Sequence, residues 1–133
     1  MHYLSTLPAF LTWFPIAAAL LLAFGWAYHR ITPWHELNLI REGNLAAACG
    51  YAGALLGYAL VLASVMASAT SRADLLVWAA IGFAVQLGAL GVARLVLGPG
   101  LRGRIEAGEL ASGLLVGVIA LAAGIINAAT MLH

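Results

Sequence analysis

The chain has 133 residues, of which 64% are hydrophobic and 8% charged, with a formal net charge of +1 and a mean hydropathy of +1.01. A soluble domain carries about a quarter charged residues, so too few polar side chains remain here to cover a water-facing surface. The same arithmetic excludes disorder, and the near-neutral balance leaves no footprint for nucleic acid.

The first apolar run covers 7–28. A bilayer core takes about 20 consecutive apolar residues as helix, so the run is long enough to span it. No Lys or Arg precedes it, which removes the basic leader of a cleaved signal peptide and predicts a retained helix. Pro8 marks the predicted helix start, and Pro15 predicts a kink because it lacks an N–H to donate. With Leu20, Leu21 and Leu22 and few small residues, this span is expected to face lipid.

Three more runs follow at 45–67, 75–97 and 110–132. The connections between them, 29–44, 68–74 and 98–109, are too short for a soluble domain. Uniform apolar runs without alternation fit helices and not a barrel. The expected fold is therefore all-α, a polytopic membrane protein of one domain over 1–133, with four spanning helices.

All six basic residues are arginines. Arg30 and Arg41 follow the first span, and Arg94, Arg102 and Arg104 lie at or beyond the end of the third. Only Arg72 occupies the opposite connection. Five against one turns the two longer connections to the cytoplasm and both termini to the periplasm. The simplest role for these charges is interfacial anchoring, with Arg94 snorkelling to the headgroups. Cys49 has no partner for an intrachain disulfide and fits a small core residue.

Small residues in lipid-embedded helices let backbones approach closely. Span two carries Gly50, Gly53 and Gly57 after Ala46. Span three carries Ala79, Gly82, Gln86, Ala89 and Ala93 on one face, and span four carries Gly113, Gly117, Ala120, Gly124 and Asn127. These stripes are expected packing seams. Gln86 and Asn127 each place an amide in a seam, where an unbonded polar group costs free energy. Interhelical bonding is the simpler role for both; lining a narrow polar path is the sharper one.

A shift of 65 residues lays Ile40-Arg41-Glu42-Gly43-Asn44-Leu45-Ala46 on Ile105-Glu106-Ala107-Gly108-Glu109-Leu110-Ala111. It also pairs Trp13 with Trp78 and Met66 with Met131. The expected architecture is two tandem similar hairpins, about 7–67 and 75–132, in a parallel repeat. Gly43 and Gly108 suit a turn, Asn44 suits a helix cap, and Glu109 suits the positive end of a helix. Read functionally, Asn44 and Glu109 form a polar ring at the cytoplasmic mouth.

These motif residues carry a resemblance. Ile31-Thr32-Pro33-Trp34-His35-Glu36-Leu37, the two repeated segments and Gly124-Ile125-Ile126-Asn127-Ala128-Ala129-Thr130-Met131 together resemble the YjfL-like family of small bacterial inner-membrane proteins, domain of unknown function 350. The chain departs from the family pattern at His35, often an acid there, and at Glu109, often Asn. The resemblance implies an inner-membrane location and a fold, and it hints at membrane-stress or membrane-scaffold partners. It implies no activity.

The histidines carry little chemistry. His2 and His133 sit at the termini, and His29 and His35 flank a span, so no membrane-embedded haem is supported. His35-Glu36 reads as an interfacial pair before it reads as a metal contact. No nucleophile stands with a base, and no phosphate loop is present, so no enzyme, catalytic residue, metal or cofactor is expected. Two functions remain. The first is an oligomeric small-ion or small-solute pore, drawing on Gln86, Asn127 and the Gly43/Gly108 motif. The second is a non-conducting accessory subunit that recruits a membrane partner through the same seams.

Overall fold

The computed structural model describes the backbone of residues 2–32 and 34–131 and the side chains of all of these except 2–6, 9 and 10. Met1, Pro33, Leu132 and His133 lie outside the described residues, as does the expected terminal placement of His133. The described fold is all-helical. In chain order it has α1 (His2–Ile31), α2 (Glu36–Arg41), α3 (Leu45–Ser68), α4 (Arg72–Leu97), α5 (Leu101–Glu106) and α6 (Leu110–Thr130). Four of these, α1, α3, α4 and α6, are long and apolar enough to cross a membrane.

Helix is the form that closes every backbone bond within one segment, which a bilayer demands. Caps mark the boundaries. Asn44 Oδ1 accepts from Ala47 N–H at 3.0 Å to open α3, and Ser71 Oγ accepts from Asp74 N–H at 3.1 Å to open α4. Two expectations for the first helix need correction. It starts at His2, before Pro8, so that both Pro8 and Pro15 lie inside it. It also passes Tyr28 to end at Ile31, which brings His29 into its last turn.

The centre of the bundle is the α3/α6 pair, which share the most extensive contact. α4 packs on both, and α1 lies mainly against α3. Burial follows this order: half of the span window of α3 is buried, against 17% for α1. Where α1 does touch, rings fill the gap. Phe24 stacks on Tyr58 with centroids 4.6 Å apart, and Phe83 meets Phe24 edge-on at 5.1 Å. Such ring pairs contribute about 0.5–1.5 kcal/mol each beyond their buried area.

The connections 29–44 and 98–109 each contain a six-residue helix, α2 and α5. Both exit through a glycine at positive φ, Gly43 at 86° and Gly108 at 79°. A side chain is strained there, which is why glycine sits at each exit. Both short helices lie at one end of the bundle, because Asn44 Nδ2 donates to the Ile105 carbonyl at 2.8 Å. Arg30, Arg41, Arg94, Arg102 and Arg104 gather at this end.

Candidate functional site

The most unusual chemistry lies where α1 turns into α2. Tyr28 and His29 are on the last turn of α1, and Thr32, just past its end, places its Oγ1 3.1 Å from the Tyr28 carbonyl oxygen. His35 then takes a left-handed conformation, φ 49°, and reverses the chain. This turns the next residue, Glu36, inward until its exposure is 0%. The Thr32 hydroxyl donates to Glu36 Oε1, and His29 Nδ1 lies 3.3 Å from Glu36 Oε2. His35, by contrast, faces outward. The expected His35-Glu36 pair is therefore replaced by His29-Glu36, because the left-handed step at His35 splits the two neighbours apart.

A buried carboxylate costs several kcal/mol unless it is paired and hydrogen-bonded. Burial pushes the Glu36 carboxyl above its ordinary value, and the bonds from Thr32, its own backbone and His29 oppose that rise only in part. Two further groups surround the pair. The Tyr28 hydroxyl is buried with no hydrogen-bond partner among the described residues, and the Arg94 guanidinium of α4 sits over the Trp34 ring at 5.9 Å. A carboxyl raised by burial and set beside an imidazole is placed to exchange a proton with it. Sequence reasoning missed this cluster. The available signal was Thr32 and His29 standing four and seven residues before an acid.

The seams lie as follows. A Cβ placed on Gly53 would sit 2.2 Å from the Gly117 carbonyl oxygen, and one on Gly113 would sit 2.1 Å from that of Ala46. On Gly117 it would meet the Cys49 carbonyl oxygen at 2.3 Å, and on Gly124 that of Gly57 at 2.4 Å. These four positions bring the α3 and α6 backbones into direct contact. Gly50 sits against Val116. Gly82, on α4, faces Val61 with Asn127 nearby.

Gln86 is buried, and its Nε2 donates to the Ala54 carbonyl at 3.3 Å. Gly57 makes room for it: an added Cβ there would lie 2.6 Å from Gln86 Nε2. Gln86 Oε1 and Asn127 Nδ2 are both buried without a partner among the described residues. The two amides do not bond to each other, so one seam holds an unfilled acceptor and an unfilled donor. Each such group costs about 1–3 kcal/mol when left unmade.

At the Gly43/Gly108 junction the two motifs diverge. Asn44 caps α3 and also reaches across to Ile105. Glu109 occupies the same position before α6 but makes no cap; its Oε1 accepts from the Ser112 hydroxyl at 2.6 Å. An open cleft of about 350 Å³ lies between Glu42, Gly43, Asn44 and Glu106, Gly108. Glu109 is exposed beside it.

Comparison with known proteins covers nearly the whole chain. The family model described as Domain of Unknown Function (DUF350) matches residues 1–131. The "UPF0719 inner membrane protein YjfL" of Escherichia coli strain K12 is 39% identical over 131 residues, covering 98% of each chain. The protein of the same name from Escherichia coli O157:H7 matches to the same extent. No solved structure matches.

Proposed function

Because this chain belongs to the DUF350 family and is an integral inner-membrane protein, we propose that it serves as a non-catalytic, non-conducting accessory subunit of that membrane. The observation that carries this reading is the closed centre of the bundle. Backbone meets backbone at Gly53 and Gly117, and Tyr58 and Val61 close on Gly82 of α4, with Phe24 and Phe83 packed on Tyr58. A subunit with so dense an interior acts through its outer faces. One such face is an apolar groove between α3 and α6, lined by Cys49, Ala52, Leu56, Leu114, Val118 and Leu121. It suits a helix of a partner or of a second copy, since small residues admit close approach.

In this reading the two halves descend from one duplicated hairpin. Support comes from α2 and α5, which have equal length and lie 65 residues apart. The arginine-rich end faces the cytoplasm and both termini face the periplasm, on the strength of five arginines against one.

A second reading, an oligomeric pore, draws on the unpartnered Gln86 Oε1 and Asn127 Nδ2. Reconstitution in liposomes separates the two. The accessory reading expects no flux of small cations or anions from folded protein, and expects Gln86→Leu to change stability by about 1 kcal/mol or less. Ion flux that Gln86→Leu alters while assembly stays intact overturns it. A pore with Glu109 at its mouth would also lose cation flux on Glu109→Gln, most of all at low salt.

A further inference from the structure

A cleft of about 480 Å³ lies at the arginine-rich end, between the last turn of α4, the 98–100 turn and α5. Trp34 forms its floor, and Arg94, Leu95, Gly98, Pro99 and Arg102 stand around it. Arg94 belongs to the spanning helix itself, so the cleft opens where hydrocarbon gives way to headgroups. Among the described residues Arg94 has no carboxylate within ion-pair distance. Its guanidinium rests on Trp34 and donates to the Ile31 carbonyl at 3.4 Å, one long bond for five N–H donors. Arg102 is paired with Glu106 at 3.3 Å, through an exposed contact that contributes little.

The lining of the cleft therefore holds two guanidinium groups and no carboxylate. Arginine binds phosphate through two parallel N–H bonds, and Arg94, held over the Trp34 indole, has N–H donors left for that geometry. Nothing in that lining receives an ammonium head. Leu95, exposed at 85%, lines the cleft, and Val92, exposed at 50% one turn nearer the bilayer centre, offers apolar surface to an acyl chain. Phosphate recognition could serve a dissolved ion equally well; the apolar wall and the depth of Arg94 favour a lipid.

We propose that this cleft binds the phosphodiester of an anionic phospholipid, with Arg94 as its principal ligand, Arg102 as the second and Trp34 as the platform. The site goes beyond the accessory role and does not depend on it.

The test uses the full chain in nanodiscs of equimolar phosphatidylcholine and phosphatidylglycerol, with retained lipid read by native mass spectrometry. Wild type is expected to keep phosphatidylglycerol in preference. Arg94→Gln is expected to reduce that preference by about fivefold, the size of one arginine at an anionic surface. Arg94→Lys keeps the charge without the fork and should fall between the two. Arg72→Gln, at the opposite end, should change nothing. Arg102→Gln removes an exposed side chain and should lower the preference by a smaller factor, which preserves the test if Arg94→Gln does not fold. Equal retention of both lipids by wild type overturns the proposal. So does a preference that survives both Arg94→Gln and Arg102→Gln, or an equal loss with Arg72→Gln. In discs of phosphatidylcholine alone, added inorganic phosphate should leave thermal unfolding unchanged; stabilisation that Arg94→Gln abolishes would give the cleft to the dissolved ion and overturn the lipid assignment.

Discussion

The two short-helix corners share a plan and differ in what they bury. At the first, α2 opens with Glu36, fully enclosed between Thr32 and His29. At the second, α5 opens with Leu101, 4% exposed and lying in the apolar core. Each corner has six helical residues and leaves through a glycine at positive φ. The residue that stands before the turn differs too: His29 in the first, Arg94 in the second. Backbone geometry is thus common to both corners, while their chemistry is set by single side chains. One corner encloses a carboxyl paired with an imidazole and the other an ordinary apolar anchor beside an open arginine.

The sharpest way to break this comparison is to exchange the buried residues. Leu101→Glu puts a carboxylate into the core with no imidazole or hydroxyl prepared for it, and is expected to cost about 3–5 kcal/mol, enough to lose the fold. Glu36→Leu removes a buried charge and is expected to be neutral or stabilising at neutral pH. Folded yield in detergent and thermal unfolding measure both. Equal losses would mean that the first corner requires its acid as strictly as the second excludes one.

A middle-sized effect concerns the caps that follow. Asn44 satisfies an α3 N–H and ties α3 to the second corner, so Asn44→Ala is expected to cost about 1–2 kcal/mol. Glu109 bonds only Ser112 and is exposed, so Glu109→Ala should cost about 0.5 kcal/mol. Chemical denaturation of the two variants side by side compares them; matching costs would show that the Ile105 bond adds nothing.

The smallest effect is in pH dependence. The carboxyl of Glu36 is raised in the fold above its ordinary value of 4.5, so the folded chain binds that proton more tightly than the unfolded one. Its contribution to stability is therefore complete below pH 4.5 and declines as pH rises through the raised value. Glu36→Gln cannot titrate and should flatten this part of the curve. An unfolding temperature that rises from mildly acidic to neutral pH in wild type, and does so unchanged in Glu36→Gln, would contradict the assignment.

How far all this was readable from sequence depends on the length over which a signal is summed. The four spans emerge because hydropathy averages over about 20 residues, and errors at single positions cancel. The stripe Gly113, Gly117, Gly124 is legible because spacing alone puts it on one face. The short helices α2 and α5 are not, since six residues complete fewer than two turns and show no usable period. Glu36 was hidden for a different reason. Its direction depends on one left-handed residue, His35, and its partner His29 belongs to the preceding helix. Glu109 occupies a cap position by alignment with Asn44, yet its longer side chain turns to Ser112 instead. That choice is made by local geometry which the motif does not encode.

The α3/α6 seam also bears on the order in which the chain is made. A ribosome delivers α3 to the membrane before α6 exists, with all of α4 and α5 still to come. Through that interval Gly50, Gly53 and Gly57 have no cover but lipid, and Gln86 arrives against an α3 whose other side is bare. α1, first to emerge, has little to dock on except α3. Consolidation therefore waits for Gly113 to Gly124, and a chain that stops short of Leu110 leaves the membrane with three helices and no centre.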